Sequence, residues 1–391
     1  MNILFLSHSS TKSGFVVGSH HYAHNLAKMG HKVIHICSPI TPFHLPFSQR
    51  RDKFDIRIDN SRLSQKHWLF DEYIPLTPFP YGKGKLLDRI NNTILNRIVE
   101  SGFSGEVDAI VIDQPKLHSF LETYQDKPII YRPTDVYSTM EKKDIRGLEL
   151  ETLKYCSAVI ATSSAVREHI NRLGYEVACV INNGVDFDAF EKHAGDSSRN
   201  HDCVYVGAID YRFDLDLVIA LARENPLIGF DIFGPLSLSL PSQLPGNLRF
   251  GGNIDYAELP LTLAKYRMAL MPFNDHPANV SRSPMKLFEY LSVGLPVFAK
   301  AIPSLAESPL PAVAETYSDE KEATERFGNF HESIDSELSA QCLATARQES
   351  WEHKTMKLLK IISEKLPAST AEESARALTS SFPLDAQRKT P

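Results

Sequence analysis

The residues best suited to chemistry lie in the stretch SRSPMKLFEYLSVGLPVFAK, residues 281–300. Ser283 is a natural N-cap, and Pro284 is the residue favoured at the first helical position. The N–H groups of a first helical turn and the helix dipole together favour an anion. Lys286 stands in the same turn, where a cation works against the dipole. Its presence there is expected to serve a diphosphate. Glu289 follows on the same side of the helix as Lys286 and Met285. Its carboxylate can accept two hydrogen bonds from a ribose diol. Gly294 is expected to end the helix, and Pro296–Ala299 to begin a strand. The plainer reading of these residues is an amphipathic helix with two surface charges, followed by a buried strand.

Other candidates stand where short apolar runs end. After Pro128–Tyr131 come Arg132, Pro133, Thr134 and Asp135, an acid and a base at a strand's carboxyl end. The plain alternative makes Asp135 an N-cap and Arg132 its ion-pair partner. After the first strand comes SHSSTKSGFVVGSHH. There Gly14 and Gly18 allow tight turns, and Gly18-Ser19 opens a helix that can approach a phosphate or sugar closely. In the second half, Gly207, Gly234 and Phe273 each follow a strand. Gly207 lets backbone approach a diphosphate, although a core strand followed by a turn accounts for each position equally well.

These groups need elements to carry them. A chain of 391 residues exceeds one ordinary core, so two domains are expected. In the first half, apolar runs at 2–6, 33–37, 109–112, 128–131, 158–161 and 178–181 read as strands, alternating with helical stretches such as 19–29. Runs at 203–207, 229–233, 248–250, 269–271 and 296–299 repeat the scheme. Continuous apolar runs suit strands buried on both faces of a parallel sheet, and the alternation suits doubly wound domains. Residues 1–185 are expected to form an N-terminal doubly wound domain and 186–350 a C-terminal one, with the polar stretch ending at Asn200 as linker. Trp351, Thr355, Leu358, Leu359, Ile362 and Leu366 form one apolar stripe of a helix over 351–366. The polar residues 367–391 are expected to be mobile.

Composition narrows the functions. A net charge of −6 and a pI near 6.2 argue against nucleic acid as the main partner. No apolar run is long enough to span a bilayer. The first residues read as strand and loop and not as a signal peptide, so a cytoplasmic location is expected. The five cysteines show no metal-ligand spacing and are expected to be reduced thiols. No Asp-x-Asp motif after a strand marks a metal-nucleotide site, so neither a metal nor a cofactor is expected. Between Tyr81 and Glu100, the residues Leu87, Ile90, Ile94 and Ile98 form an apolar stripe flanked by Lys83, Lys85, Arg89 and Arg97. Phe43, Leu45 and Phe47 with Arg50, Arg51 and Lys53 precede it. Such a helix either packs on the sheet or lies on an anionic membrane face.

The pattern K-L-x-E-Y-L-x-x-G-x-P-V at 286–297 resembles the donor-nucleotide helix of GT-B glycosyltransferases, especially the family-4-like group. YRPTDVYST, then INNGVDFDAF, then SPMKLFEY resemble the motif order of the family-70 glycosyltransferases, the group of the xanthan β-glucuronosyltransferase. The resemblance covers most of the chain in outline, and these short blocks carry it. It implies two Rossmann-like domains facing a cleft, with the C-terminal helix crossing back onto the first. It implies a nucleotide-sugar donor, a UDP-sugar with glucuronic acid among the sugars, and a glycan or lipid-linked acceptor in polysaccharide biosynthesis.

Under that resemblance Asp135 matches the base of an inverting transfer. Ser283, Met285, Lys286, Glu289, Gly207, Gly234 and Phe273 fall in the donor site. Gly18, Ser19 and Arg132 fall in the acceptor site or its loop. Two departures stand out. Retaining family-4 enzymes often carry a Glu where Ser281 stands, and family 70 has a glutamine where Glu289 stands. The alternatives are a retaining family-4-type transferase, a nucleotide-sugar epimerase of the same architecture, and a catalytically silent nucleotide-sugar-binding protein.

Overall fold

A computed structural model describes residues 1–12, 16–44, 68–139, 145–195, 199, 200, 202–280, 283, 285–306 and 310–366. The expected mobile segment 367–391, together with Gly14, Leu45, Phe47, Arg50, Arg51, Lys53, Ser281 and Pro284, lies outside the described residues.

Two parallel sheets organise the chain. The first has the order β3-β2-β1-β4-β5-β6-β7, where β1 is Asn2–Leu6, β2 Lys32–Ile36, β3 Asp71–Tyr73, β4 Ala109–Ile112, β5 Ile129–Tyr131, β6 Ala158–Ala161 and β7 Cys179–Val180. The second has the order β10-β9-β8-β11-β12-β13, where β8 is Cys203–Val206, β9 Phe230–Phe233, β10 Leu248–Gly252, β11 Met268–Met271, β12 Val297–Lys300 and β13 Ala314–Tyr317. Runs such as AIVI in β4 and MALM in β11 are buried along their whole length. Such strands lose apolar surface to both layers of helices. In each sheet the strand order reverses once, between β1 and β4 and between β8 and β11. A crevice opens at such switch points, outside the carboxyl ends of the strands.

The expected strands are present, with ends shifted by a residue or so. Two were not expected. Both β3 (DEY) and β13 (AETY) are edge strands, short and half polar, because an edge is covered on one side only.

The helix Trp351–Lys365 starts at Ser350, whose side chain accepts from the N–H of His353. It buries Trp351, Thr355, Leu358, Leu359 and Ile362. Those apolar side chains share one cluster with Ile3, Phe5, Tyr22 and Leu26 of the first sheet's layer. The last described helix therefore packs on the first half of the chain, although it follows the second sheet.

Candidate functional site

The donor-side residues converge at the ends of β8 and β9. The helix that carries Lys286 runs Met285–Leu291 and closes through Gly294 at φ +77°, a left-handed turn that favours glycine. The Lys286 ammonium lies 3.4 Å from the Tyr205 hydroxyl and 4.7 Å from the centre of the Tyr205 ring. It also presses on Gly207, where an added Cβ would stand 1.9 Å from Nζ. Gly234 (φ +131°) packs on Gly207 in turn, and a Cβ there would stand 2.0 Å from the Gly207 carbonyl oxygen. Two glycines thus bare the backbone at two neighbouring strand ends beneath one cation.

Glu289 is 9 % exposed. Among the described residues no hydrogen bond reaches its carboxyl. Burial pushes its pKa up to about 7, and the Lys286 charge opposes that rise only in part. A buried carboxyl with no hydrogen bond among the described residues is costly for the fold alone, even with a lysine charge nearby. It becomes favourable with a ligand that offers hydroxyl donors to the carboxylate and an anion to the lysine.

Two expected donor residues have other surroundings. Phe273, after β11, is 1 % exposed and belongs to the core of the second sheet, so its side chain packs beneath the strand ends. Met285 packs against the first-half cluster around Trp351 and Tyr22.

Ser283 joins the two halves. Its hydroxyl accepts from the backbone N–H of Asn183 at 2.9 Å, and its carbonyl accepts from Asn183 Nδ2 at 2.7 Å. Asn183 Oδ1 accepts from Arg132 Nη2 at 2.8 Å. The Arg132 guanidinium is 1 % exposed and lies 4.8 Å over the Tyr22 ring. Gly18 sits against this joint, where an added Cβ would stand 3.0 Å from both Arg132 Nη2 and Asn183 Oδ1. Val185 and Ser350 pair there, so both passages of the chain between the halves lie side by side. The structure therefore gathers Gly18, Arg132 and Ser283 around Asn183, which the sequence marked only as part of the INNGVDFDAF block.

At the switch point of the first sheet, Asp113 follows β4 and His8 follows β1. Asp113 Oδ1 accepts from the His8 backbone N–H at 3.1 Å and lies 3.2 Å from His8 Nδ1, while Oδ2 accepts from the Ser7 hydroxyl at 3.0 Å. Burial opposes the Asp113 charge, but His8, His35 and Arg132 outweigh it and lower its pKa. Burial likewise opposes a charge on His8; Asp113 and Asp135 outweigh it and raise the pKa against Arg132. Asp135 is half-buried in the loop after β5. That loop is tied to the same hub, since the Tyr137 hydroxyl donates to the Asp113 carbonyl at 2.6 Å and accepts from the Thr134 N–H at 3.2 Å.

Ser19 lies deeper. Its hydroxyl meets that of Ser7 at 2.8 Å and His35 Nε2 at 3.2 Å, and it is 3 % exposed. Beyond it, His20, His35 and Glu72 bring one ligand-type atom each within 4.8 Å of one another. Their hydrogen bonds are already engaged. Val17 N–H donates to His20 Nδ1, so Nε2 carries the hydrogen it turns to the Ser9 carbonyl at 3.0 Å. Glu72 accepts from Ser10 and twice from Thr11. These residues brace the loop after β1.

In the helix Lys85–Gly102 the buried residues are Asp88, Asn91, Asn92, Leu95 and Val99; the three polar ones bond the 79–82 loop and the Ser119 carbonyl. The apolar stripe Leu87, Ile90, Ile94 and Ile98 is displaced to the flank, with Ile90 42 % and the neighbouring Leu86 72 % exposed. Among the described residues no helix is long and apolar enough to cross a membrane.

Known proteins match this chain in part. A family profile described as glycosyl transferase-like matches residues 215–360. The putative teichuronic acid biosynthesis glycosyltransferase TuaH of Bacillus subtilis is 23 % identical over 249 residues, 57 % of this chain and 62 % of that protein. The match thus spans under two thirds of the relative's length. Sucrose-phosphate synthase from Thermosynechococcus elongatus superposes with a TM-score of 0.67 at 12 % identity, covering 93 % of this chain and 99 % of that one. Anabaena HepE in complex with UDP and glucose superposes with a TM-score of 0.61 at 15 % identity, covering 92 % and 99 %. The chain has the GT-B fold, two Rossmann-like sheets facing one another, and the glycosyl transferase-like match falls in its second half.

Proposed function

We propose that this GT-B protein is a glycosyltransferase that takes a sugar from a nucleoside-diphosphate donor, a UDP-sugar, and passes it to a glycan or lipid-linked acceptor in polysaccharide biosynthesis. One observation carries the reading: the buried carboxyl of Glu289, which has no hydrogen bond among the described residues, feels the charge of Lys286, whose ammonium stands over the bared backbone of Gly207 and Gly234. A nucleoside diphosphate offers a diol to a carboxylate and an anion to an ammonium within one ligand. The relatives support the direction, since one solved neighbour holds UDP and glucose and the matched curated protein is described as a teichuronic acid glycosyltransferase.

In this reading Lys286 and the strand-end N–H groups neutralise the leaving diphosphate. Glu289 fixes the ribose. The acceptor hydroxyl approaches from the first sheet, where Asp135 accepts its proton as the oxygen attacks the anomeric carbon. A single displacement of this kind inverts the anomeric centre. Donor and base groups sit on opposite sides of the Arg132–Asn183–Ser283 joint, so a hinge there brings them together. The exposed Leu86 and Ile90 with Lys83, Lys85, Arg89 and Arg97 give the first domain a face for an anionic membrane carrying a lipid-linked acceptor. The test of the donor is calorimetry with UDP against inorganic pyrophosphate. Tighter binding of UDP, lost in Glu289→Gln, supports the reading. Equal binding of the two, or none, counts against it.

A further inference from the structure

Three neighbouring strands, β1, β4 and β5, end side by side in the first sheet. Each delivers an ionisable group to the same place: His8, Asp113, and Arg132 with Asp135. Asp113 is the hub. Its carboxylate holds the His8 ring and backbone, and its carbonyl holds Tyr137 in the loop that carries Asp135. Because the Asp113 carboxylate accepts from Nδ1, that nitrogen carries the hydrogen, and Nε2 is the atom that titrates. The His8 side chain is 36 % exposed while Asp113 is 4 % exposed, so the imidazole is the solvent-facing end of the pair.

Two carboxylates on adjacent strand ends repel and resist joint ionisation. A base must nevertheless be ionised to work. We propose that His8, oriented by Asp113, is a positioning residue for Asp135: as an imidazolium it offsets the second carboxylate and holds Asp135 in the charged state that accepts the acceptor's proton. This rests on the transferase reading above. The groups facing His8 are Asp113 from the end of β4 and Arg132 and Asp135 from the loop after β5; His35 of β2 faces Asp113. The two carboxylates favour the imidazolium, and Arg132 disfavours it. Attraction is mutual, so a cation that the two carboxylates stabilise also stabilises them.

The active form of the pair carries the proton, so activity is present below the His8 titration and falls as pH rises through it. The experiment is kcat/KM for UDP release from UDP-glucuronate or UDP-glucose, with octyl glucoside added to supply the acceptor hydroxyl, across roughly pH 5 to 9, with the full chain. The wild type is expected to show an alkaline limb. Asp113→Asn should move that limb to lower pH, because it removes the carboxylate that favours the imidazolium. His8→Gln should abolish the limb and lower kcat/KM about tenfold, less than the 10²–10⁴-fold typical for loss of a general base. UDP affinity by calorimetry should be unchanged in both variants, which shows that each is folded.

An alkaline limb that survives unchanged in His8→Gln overturns the inference. So does a His8→Gln loss as deep as that of Asp135→Asn at every pH, since His8 would then be the base itself. A wild type that binds UDP but releases none from either donor contradicts the transferase reading instead, and the two failures are thereby told apart.

Discussion

Asn183 and Ser283 grip each other through two hydrogen bonds, backbone N–H to hydroxyl at 2.9 Å and side-chain amide to carbonyl at 2.7 Å. They are a hundred residues apart: Asn183 follows β7 of the first sheet, and Ser283 lies between β11 and β12 of the second. Arg132 extends the contact into the loop of Asp135. The joint couples the segment that leads into the Lys286 helix to the strand end that presents Asp135, the proposed base. Asn183→Ala leaves a buried guanidinium without its hydrogen-bond acceptor. A loss of about 1–3 kcal/mol in unfolding free energy is expected. Ser283→Ala removes one neutral acceptor and should cost less, about 1 kcal/mol. Urea titrations of both variants check the order. An Asn183→Ala protein as stable as wild type removes the joint from the account.

Lys286→Ala should weaken UDP binding by about 1.5–3 kcal/mol, the scale of a charged hydrogen bond. Gly207→Ala should do much the same by another route. Its Cβ would stand 1.9 Å from the lysine's Nζ, the mobile end of a long side chain that can move aside, and 2.8 Å from the buried Tyr205 hydroxyl, which must also give way. Gly234→Ala should differ from both, because φ +131° and a backbone carbonyl at 2.0 Å leave no room to yield. A stability loss of about 1–3 kcal/mol or more is expected there. Calorimetry and thermal melts on the three variants separate binding from folding.

If Glu289 holds the ribose as proposed, UDP binding should depend on pH. Its folded pKa of about 7 lies above the ordinary 4.5. The carboxylate is the form that accepts the ribose hydroxyls, so UDP affinity should rise as pH increases through about 7 and stay flat in Glu289→Gln. The same shift sets a stability trend. An acid whose pKa is raised by folding costs stability as pH climbs from 4.5 toward 7, since the folded state binds the extra proton. Glu289→Gln should therefore melt higher than wild type above neutral pH and lose that advantage in acid. The opposite trend would show that the carboxyl finds a partner in the free protein.

Binding to anionic vesicles should fall with added salt, because exposed charges are screened. Leu86→Ser with Ile90→Ser should weaken it further. Flotation with no association at low salt would leave the flank of the helix Lys85–Gly102 without a membrane role.

Much of the fold was legible because buried parallel strands announce themselves as unbroken apolar runs, as AIVI and MALM do. The edge strands β3 and β13 were not, since half-polar tripeptides and tetrapeptides look like loops. The donor side was legible in part. A cation in a first helical turn and an acid one turn on are visible in a single stretch of sequence, and so is each glycine after a strand. That Gly207 lies under Lys286 is not, because the two meet only through the packing of β8 on the helix. His8 and Asp113 follow strands that are neighbours in space and far apart in sequence. The rule that sites follow strands could have flagged both. Nothing in the linear order says that β1 and β4 lie side by side.

The central claim is that Asp135 deprotonates an acceptor for an inverting transfer from a UDP-sugar. The direct measurement is the anomeric configuration of the transferred sugar by proton NMR, in wild type and Asp135→Asn, with the donor that the wild type turns over. The account predicts a product of inverted configuration. It also predicts a 10²–10⁴-fold lower turnover in Asp135→Asn, typical for loss of a general base, with UDP affinity kept. A product whose configuration matches the donor's, or near-normal turnover without the carboxylate, would contradict it.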